Sequence, residues 1–179
     1  MKKSALVHQG FTLVELLVVI AIIAILAAIV VLIINPLELT RRGRDAARLS
    51  DLANLQQAIN VAVQESTASA AAILCGAGST PCFGSSNTGT RASDGSGWVK
   101  VNLSAQQSVS VPTLPADQSN TTANHYTYCS DGNGWEIDTV LESQQQSDKA
   151  GADGGDDPVI YEVGSNLTLI KPSGGSCSY

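Results

Sequence analysis

The chain has 179 residues with 10 Lys+Arg against 16 Asp+Glu, a formal net charge of −6. That acidic balance argues against nucleic acid as a primary partner, because neutralising phosphates requires a basic face; the two histidines, His8 and His125, leave little for a zinc site or a histidine-activated nucleophile. Aromatic residues are only 4% of the chain, and Gly, Ser, Thr, Asn and Ala crowd the second half, so the length suits one small-cored domain plus an additional segment.

Residues 1–10 read MKKSALVHQG, with Lys2 and Lys3 near the start. Residues 16–34 (LLVVIAIIAILAAIVVLII) are 19 consecutive apolar positions, and Phe11, Leu13 and Val14 extend the run backwards past Glu15. As a helix, at about 1.5 Å per residue, this stretch covers a ~30 Å hydrocarbon core. A helix apolar all round inside a soluble domain would need a core on every side, which the remaining residues cannot supply. The run is too long for a cleavable secretory signal, and Asn35-Pro36 followed by charged residues is not a small-residue cleavage site. The apolar segment is therefore expected to span a membrane and to be retained when the leader, residues 1–10, is removed.

Gly10-Phe11-Thr12-Leu13-Val14-Glu15-Leu16, between the short basic leader and the apolar run, resembles the processing signal of type IV pilins and pseudopilins. The resemblance covers about the first 35 residues, and the rest of the chain fits in layout only. It implies that an inner-membrane prepilin peptidase and methylase cuts after Gly10 and methylates the new N-terminus at Phe11. It also implies that Glu15 pairs during assembly with the Phe11 amine of a neighbouring subunit. The partners it implies are other copies of the chain and related pilins, a membrane assembly platform, and lipid before assembly. The residues support a compatible account of their own. A carboxylate in a spanning helix is costly without a partner; Phe11 and Glu15 lie one helical turn apart, and a carboxylate suits the positive end of the helix dipole. Ala24 and Ala28, with Ala21 and Ala27 nearby, supply small residues at a spacing that lets helices approach closely.

Pro36 interrupts the pattern, since inside a helix it removes a hydrogen bond and clashes with the Leu32 carbonyl, so a bend is expected near residues 33–37. Beyond it, Leu49, Leu52, Ile59 and Val63, with Gln56 in the gap, predict an amphipathic helix over 36–65. With the spanning part, residues 11–35, it would form a rod of about 54 residues, near 80 Å. Arg41, Arg42, Arg44 and Arg48 read as a solvated helix face interleaved with Glu38, Asp45 and Asp51. They also create a conflict: four arginines follow the span and two lysines precede it, so the positive-inside rule alone places the C-terminal part in the cytoplasm.

The cysteines argue otherwise. Cys75, Cys82, Cys129 and Cys177 all follow the span, and an even number favours disulfides and an oxidising exterior. Three pairings are open. Cys75 with Cys82 would close a tight loop (CGAGSTPC), leaving Cys129 with Cys177, a bridge that resembles the C-terminal disulfide loop of many pilins. Residues 66–97 read as an exposed connecting loop. Strands are expected at 98–103, 109–111, 126–129, 135–141, 159–163 and 167–170, with a hairpin turn at Asp131-Gly132-Asn133-Gly134. The fold class is α+β: a long N-terminal helix packed on a small antiparallel β-sheet head, residues 98–179, of pilin-like form. Asp148, Asp153, Asp156 and Asp157 sit in a glycine-rich loop faintly similar to the calcium loop of major pseudopilins, with oxygens of the kind calcium prefers, although an acidic solvated loop without metal is the preferred reading. The sequons at Asn102, Asn120 and Asn166 read as chance matches in a Ser/Thr-rich chain.

The expected function is a pilin-like structural subunit of an extracytoplasmic helical filament, with no catalysis and no cofactor of its own. It would start as a single-pass protein of the cytoplasmic membrane, leader inside and head outside, and end in a surface or periplasmic filament. The alternatives are a membrane-anchored extracytoplasmic binding domain that never polymerises and a pseudopilin of a type II secretion system.

Overall fold

The computed structural model describes residues 10–76, 78–172 and 176–179. Of the expected leader, residues 1–10, all but Gly10 lie outside the described residues. The chain divides into two compact units at Leu39/Thr40.

The first unit is dominated by α1, Leu13–Ile34, which is 22 residues long with none buried. It is long and apolar enough to cross a membrane. It stops at Asn35, whose φ of 44° is left-handed and closes the helix, a conformation Asn tolerates better than most residues. A second helix, α2, Pro36–Glu65, starts at the next residue. The break falls where Pro36 predicts an interruption, and no clash arises, because a proline in the first helical position has no hydrogen bond to lose. Asn35 serves both helices, its side-chain oxygen accepting from the Glu38 N–H at 3.4 Å.

The second unit is a four-stranded antiparallel sheet against α2. Its strands are β1 (Cys82–Ser85), β2 (Tyr126–Ser130), β3 (Trp135–Val140) and β4 (Ile160–Gly164), in the spatial order β1-β2-β3-β4. Strand alternation turns Trp135 and Ile137 of β3, with Tyr126 and Tyr128 of β2, toward a core shared with Leu52, Leu55, Ala58, Ile59 and Ala62 of α2. The opposite face carries Glu136 and Asp138, together with Cys129 in a small second cluster with Leu169 and Ile170. The buried stripe of α2 thus runs 45, 48, 52, 55, 59, 62, rotated from the expected one. Leu49, Gln56 and Val63 flank it half-buried.

Four expectations are corrected. Residues 66–97 are not merely a connecting loop. They contain a short helix α3, Ala70–Leu74, capped by Ser69, and the edge strand β1. Gly84 in β1 makes this possible, because any side chain there would run into the Trp98 backbone. Residues 98–103 form no strand, although Trp98, Val99, Val101 and Leu103 are fully buried. Their backbone folds onto the preceding loop instead, Trp98 N–H donating to Thr90 O and Leu103 N–H to Ser93 O. Val109 and Val111 likewise pack on the core without strand pairing. Residues 167–170 add no named strand, only an isolated bridge between Ile170 and Cys177, since the N–H groups of Leu169 and Ile170 donate to the Glu136 carboxylate rather than to a neighbouring strand.

Candidate functional site

Gly10 to Glu15 lie at the open start of α1. Gly10 has nothing within 4 Å of where a side chain would project, and Phe11 is 85% exposed. The Gly10–Phe11 bond precedes the helix, in irregular chain rather than hydrogen-bonded backbone. Thr12 is the helix N-cap. Its hydroxyl oxygen accepts from the Glu15 N–H at 3.2 Å. Glu15 Oε2 in turn accepts from the Thr12 N–H at 2.8 Å and from the Thr12 hydroxyl at 2.7 Å. This reciprocal capping box satisfies two of the otherwise unpaired N–H groups of a helix start. The partner of Glu15 within the chain is therefore Thr12. The Thr-x-x-Glu spacing carries this signal, and reasoning from Phe11 and Glu15 alone misses it.

The arginine cluster is where the sequence reading fails most. Arg48 is 1% exposed. Its Nε and Nη2 donate to Asp117, and its Nη1 to Asp45 and Glu142, both at 2.8 Å. Arg44 forms a bidentate pair with Glu142 at 2.7 and 3.0 Å. Asp45 also accepts the Glu142 and Ser143 N–H groups, and Asp117 those of Ser119 and Asn120. Burial opposes ionisation of both aspartates. The Ser143 and Glu142 bonds nevertheless hold Asp45 below its usual carboxylate range, and the Arg48 guanidinium does the same for Asp117. The reading of a solvated face is therefore corrected for Arg44 and Arg48, while Arg42 is exposed. Two charged residues heading the apolar stripe of a helix are the available signal, but their carboxylate partners lie too far along the chain to read.

The acidic loop is organised differently from a cation cradle. Asp153 accepts the Gly155 N–H with one oxygen and the outward N–H of Glu162 on edge strand β4 with the other, at 2.9 and 2.8 Å. Asp157 accepts the Val159 N–H at 2.9 Å, and Asp148 and Asp156 are exposed. Among the described residues no three His, Cys, Asp or Glu side chains gather to hold a metal ion, so these four are not brought together as a ligand set. Beside the loop, Glu136, Asp138 and Glu162 are buried on the outer face of the sheet, Glu162 directly opposite Asp138. Burial pushes Asp138 up to about 7. Burial and the neighbouring Glu136 carboxyl push Glu162 up to about 8.

The cysteines form two bridges, Cys75–Cys82 and Cys129–Cys177. The second ties the C-terminal segment to β2, and the carboxylate of Glu136, paired with Cys129 from the neighbouring β3, holds the Leu169 and Ile170 N–H groups. Of the sequon asparagines, Asn120 is engaged at both ends of its amide by Ser86. His125 faces the Thr121 carbonyl at 3.2 Å.

Residues 7–31 match the family model of the prokaryotic N-terminal methylation motif, the signal of type IV pilins and pseudopilins. No curated protein and no solved structure matches the chain significantly. A motif of this kind points to a structural subunit rather than an enzyme, to processing by a prepilin peptidase, and to membrane anchoring through α1.

Proposed function

From a chain that carries the N-terminal methylation motif on an apolar helix, we propose a pilin-like structural subunit. It is held in the cytoplasmic membrane by α1 with its head outside, cut after Gly10, methylated on Phe11, and drawn into a helical filament. One observation carries the reading: the motif at residues 7–31 runs directly into a 22-residue apolar helix with no buried residue. Such a surface needs a partner outside its own chain, lipid before assembly and other apolar helices after it. Both disulfides fit a head exposed to an oxidising compartment.

Mass spectrometry of sheared surface filaments tests this. The expected subunit begins at a methylated Phe11, has lost ten of 179 residues to leave 169, and has shifted in formal charge from −6 to −8 with the loss of Lys2 and Lys3. Replacing Gly10 with a bulky residue is expected to leave uncut precursor in the membrane. Filaments built from chains that retain residues 1–10 would refute the processing step, and a mature chain found only in the membrane would favour an anchored domain that never polymerises.

A further inference from the structure

Orientation by charge opposes the proposed topology. Arg41, Arg42, Arg44 and Arg48 lie within fifteen residues of the end of α1, against Lys2 and Lys3 ahead of it. Lysines and arginines flanking a span set its orientation, while carboxylates contribute little. The folded head changes that count. Arg48 is enclosed by Asp45, Asp117 and Glu142, and Arg44 is clasped by Glu142. Asp117 lies 69 residues beyond Arg48, and Glu142 lies 98 beyond Arg44. These carboxylates reach the arginines only once the loop before β2 and the turn after β3 have folded against α2.

We propose that this clasp is a folding-coupled charge trap that fixes the orientation of the chain, burying Arg48 and pairing Arg44 with a carboxylate once the head has folded on the far side of the membrane. The inference rests on the head-out reading above. While the chain is unfolded, its arginines are solvated cations that favour the cytoplasmic side. Folding places Arg48 where return would require breaking a buried, hydrogen-bonded ion cluster, a strongly unfavourable step. The head carries two disulfides, and these form in an oxidising compartment rather than in the reducing cytoplasm. Closure of the clasp is thereby coupled to the outer side.

The test uses the full chain expressed in cells. Head orientation is read as protease accessibility from outside, together with the redox state of Cys129 and Cys177. Asp117→Asn with Glu142→Gln removes the clasping carboxylates and leaves the arginines. The protease-protected, reduced fraction is expected to rise several-fold. Adding Arg48→Met removes one cation while filling similar volume, and is expected to bring that fraction back toward the wild-type level. A head that merely fails to fold on the outer side stays open to external protease, so protection reads orientation and not folding, and equal protected fractions in the double and triple variants would overturn the proposal. So would a double variant as accessible as the wild type. A wild-type head found inside the cell would instead overturn the head-out reading itself, which keeps the two failures apart.

Discussion

The apolar helix and the head solve opposite solvation problems. In α1 every residue is exposed within its own chain, and the side chains are apolar on all sides, so its stability is delegated to surroundings the chain does not contain. In the head the difficulty is inverted. Asp45, Arg48, Asp117, Glu136, Asp138 and Glu162 are each under 5% exposed, in a domain whose sequence is rich in small polar residues. The comparison shows where physical information resides. A segment that dissolves in lipid declares itself in a contiguous run, whereas a head that buries charge depends on partners tens of residues apart.

Glu15 is the point where the first region resembles the second, and altering it is expected to have the largest effect. Glu15→Leu makes α1 more apolar, so insertion should be unchanged or improved. Filament yield should collapse, because the Phe11 amine of a neighbour would enter an apolar core without a counter-charge. Glu15→Asp keeps the charge with a shorter reach and is expected to give an intermediate yield. Glu15→Gln is sharper still. A glutamine at this position completes a capping box as well as glutamate does, so it preserves the helix start seen with Thr12 and removes only the charge. The measurement is the ratio of sheared filament to membrane-held subunit in cells where cleavage after Gly10 is verified. Wild-type assembly by the Gln variant would reduce Glu15 to a helix cap.

Legibility follows the same division. The span, the interruption beside Pro36 and the hairpin at 131–134 were readable because each depends on neighbours in sequence: a contiguous apolar run, a residue without an N–H, a turn rich in Gly and Asn. The Thr12–Glu15 capping box was equally local. The edge strand Cys-Phe-Gly-Ser was not readable, because β propensity is low there and a tertiary contact at Gly84 decides it. Residues 98–103 misled in the other direction. Their burial is real, but their hydrogen bonds go to loop carbonyls at Thr90 and Ser93. The arginines misled because pattern reasoning treats charge at a helix surface as solvated, and nothing near them in sequence announces Asp117 or Glu142.

The C-terminal bridge tests how far the head depends on long-range ties, and its loss is expected to be the next largest effect. Cys129 and Cys177 are 48 residues apart. In the entropic account, closing a loop of that length stabilises the fold by about 4 kcal/mol. Cys129→Ser with Cys177→Ser should lower the thermal midpoint of the head far more than it changes α1. The segment it releases retains the Glu136 bonds to Leu169 and Ile170, so hydrogen exchange at those two amides should rise without reaching the unfolded rate. Full exposure of both amides in the double variant would mean the carboxylate contributes nothing without the bridge.

The smallest effect separates two kinds of buried carboxyl within the head, because they respond to pH with opposite sign. Asp45 and Asp117 have depressed folded values. Their contribution is present above the ordinary aspartate range near 3.8 and is lost as pH falls through the lower, folded values. Asp138, buried on the sheet face beside Glu162 and Glu136, has its folded value raised from 3.8 to about 7. Its contribution is complete below about 3.8 and drains away as pH rises toward 7, at a slope of at most about 1.4 kcal/mol per pH unit for one group. Head stability should therefore peak in mildly acidic solution, between the two titrations, and decline on the approach to neutrality. Asp138→Asn fixes a neutral group of nearly the same shape opposite Glu162, so the decline between about pH 4 and pH 7 should become shallower while the acid limb, set by Asp45 and Asp117, keeps its position. Chemical denaturation at a series of pH values reads both limbs. A variant whose neutral limb stays as steep as that of the wild type would show that Asp138 is already ionised in the folded head, with a cationic or hydrogen-bonding partner compensating it on that face.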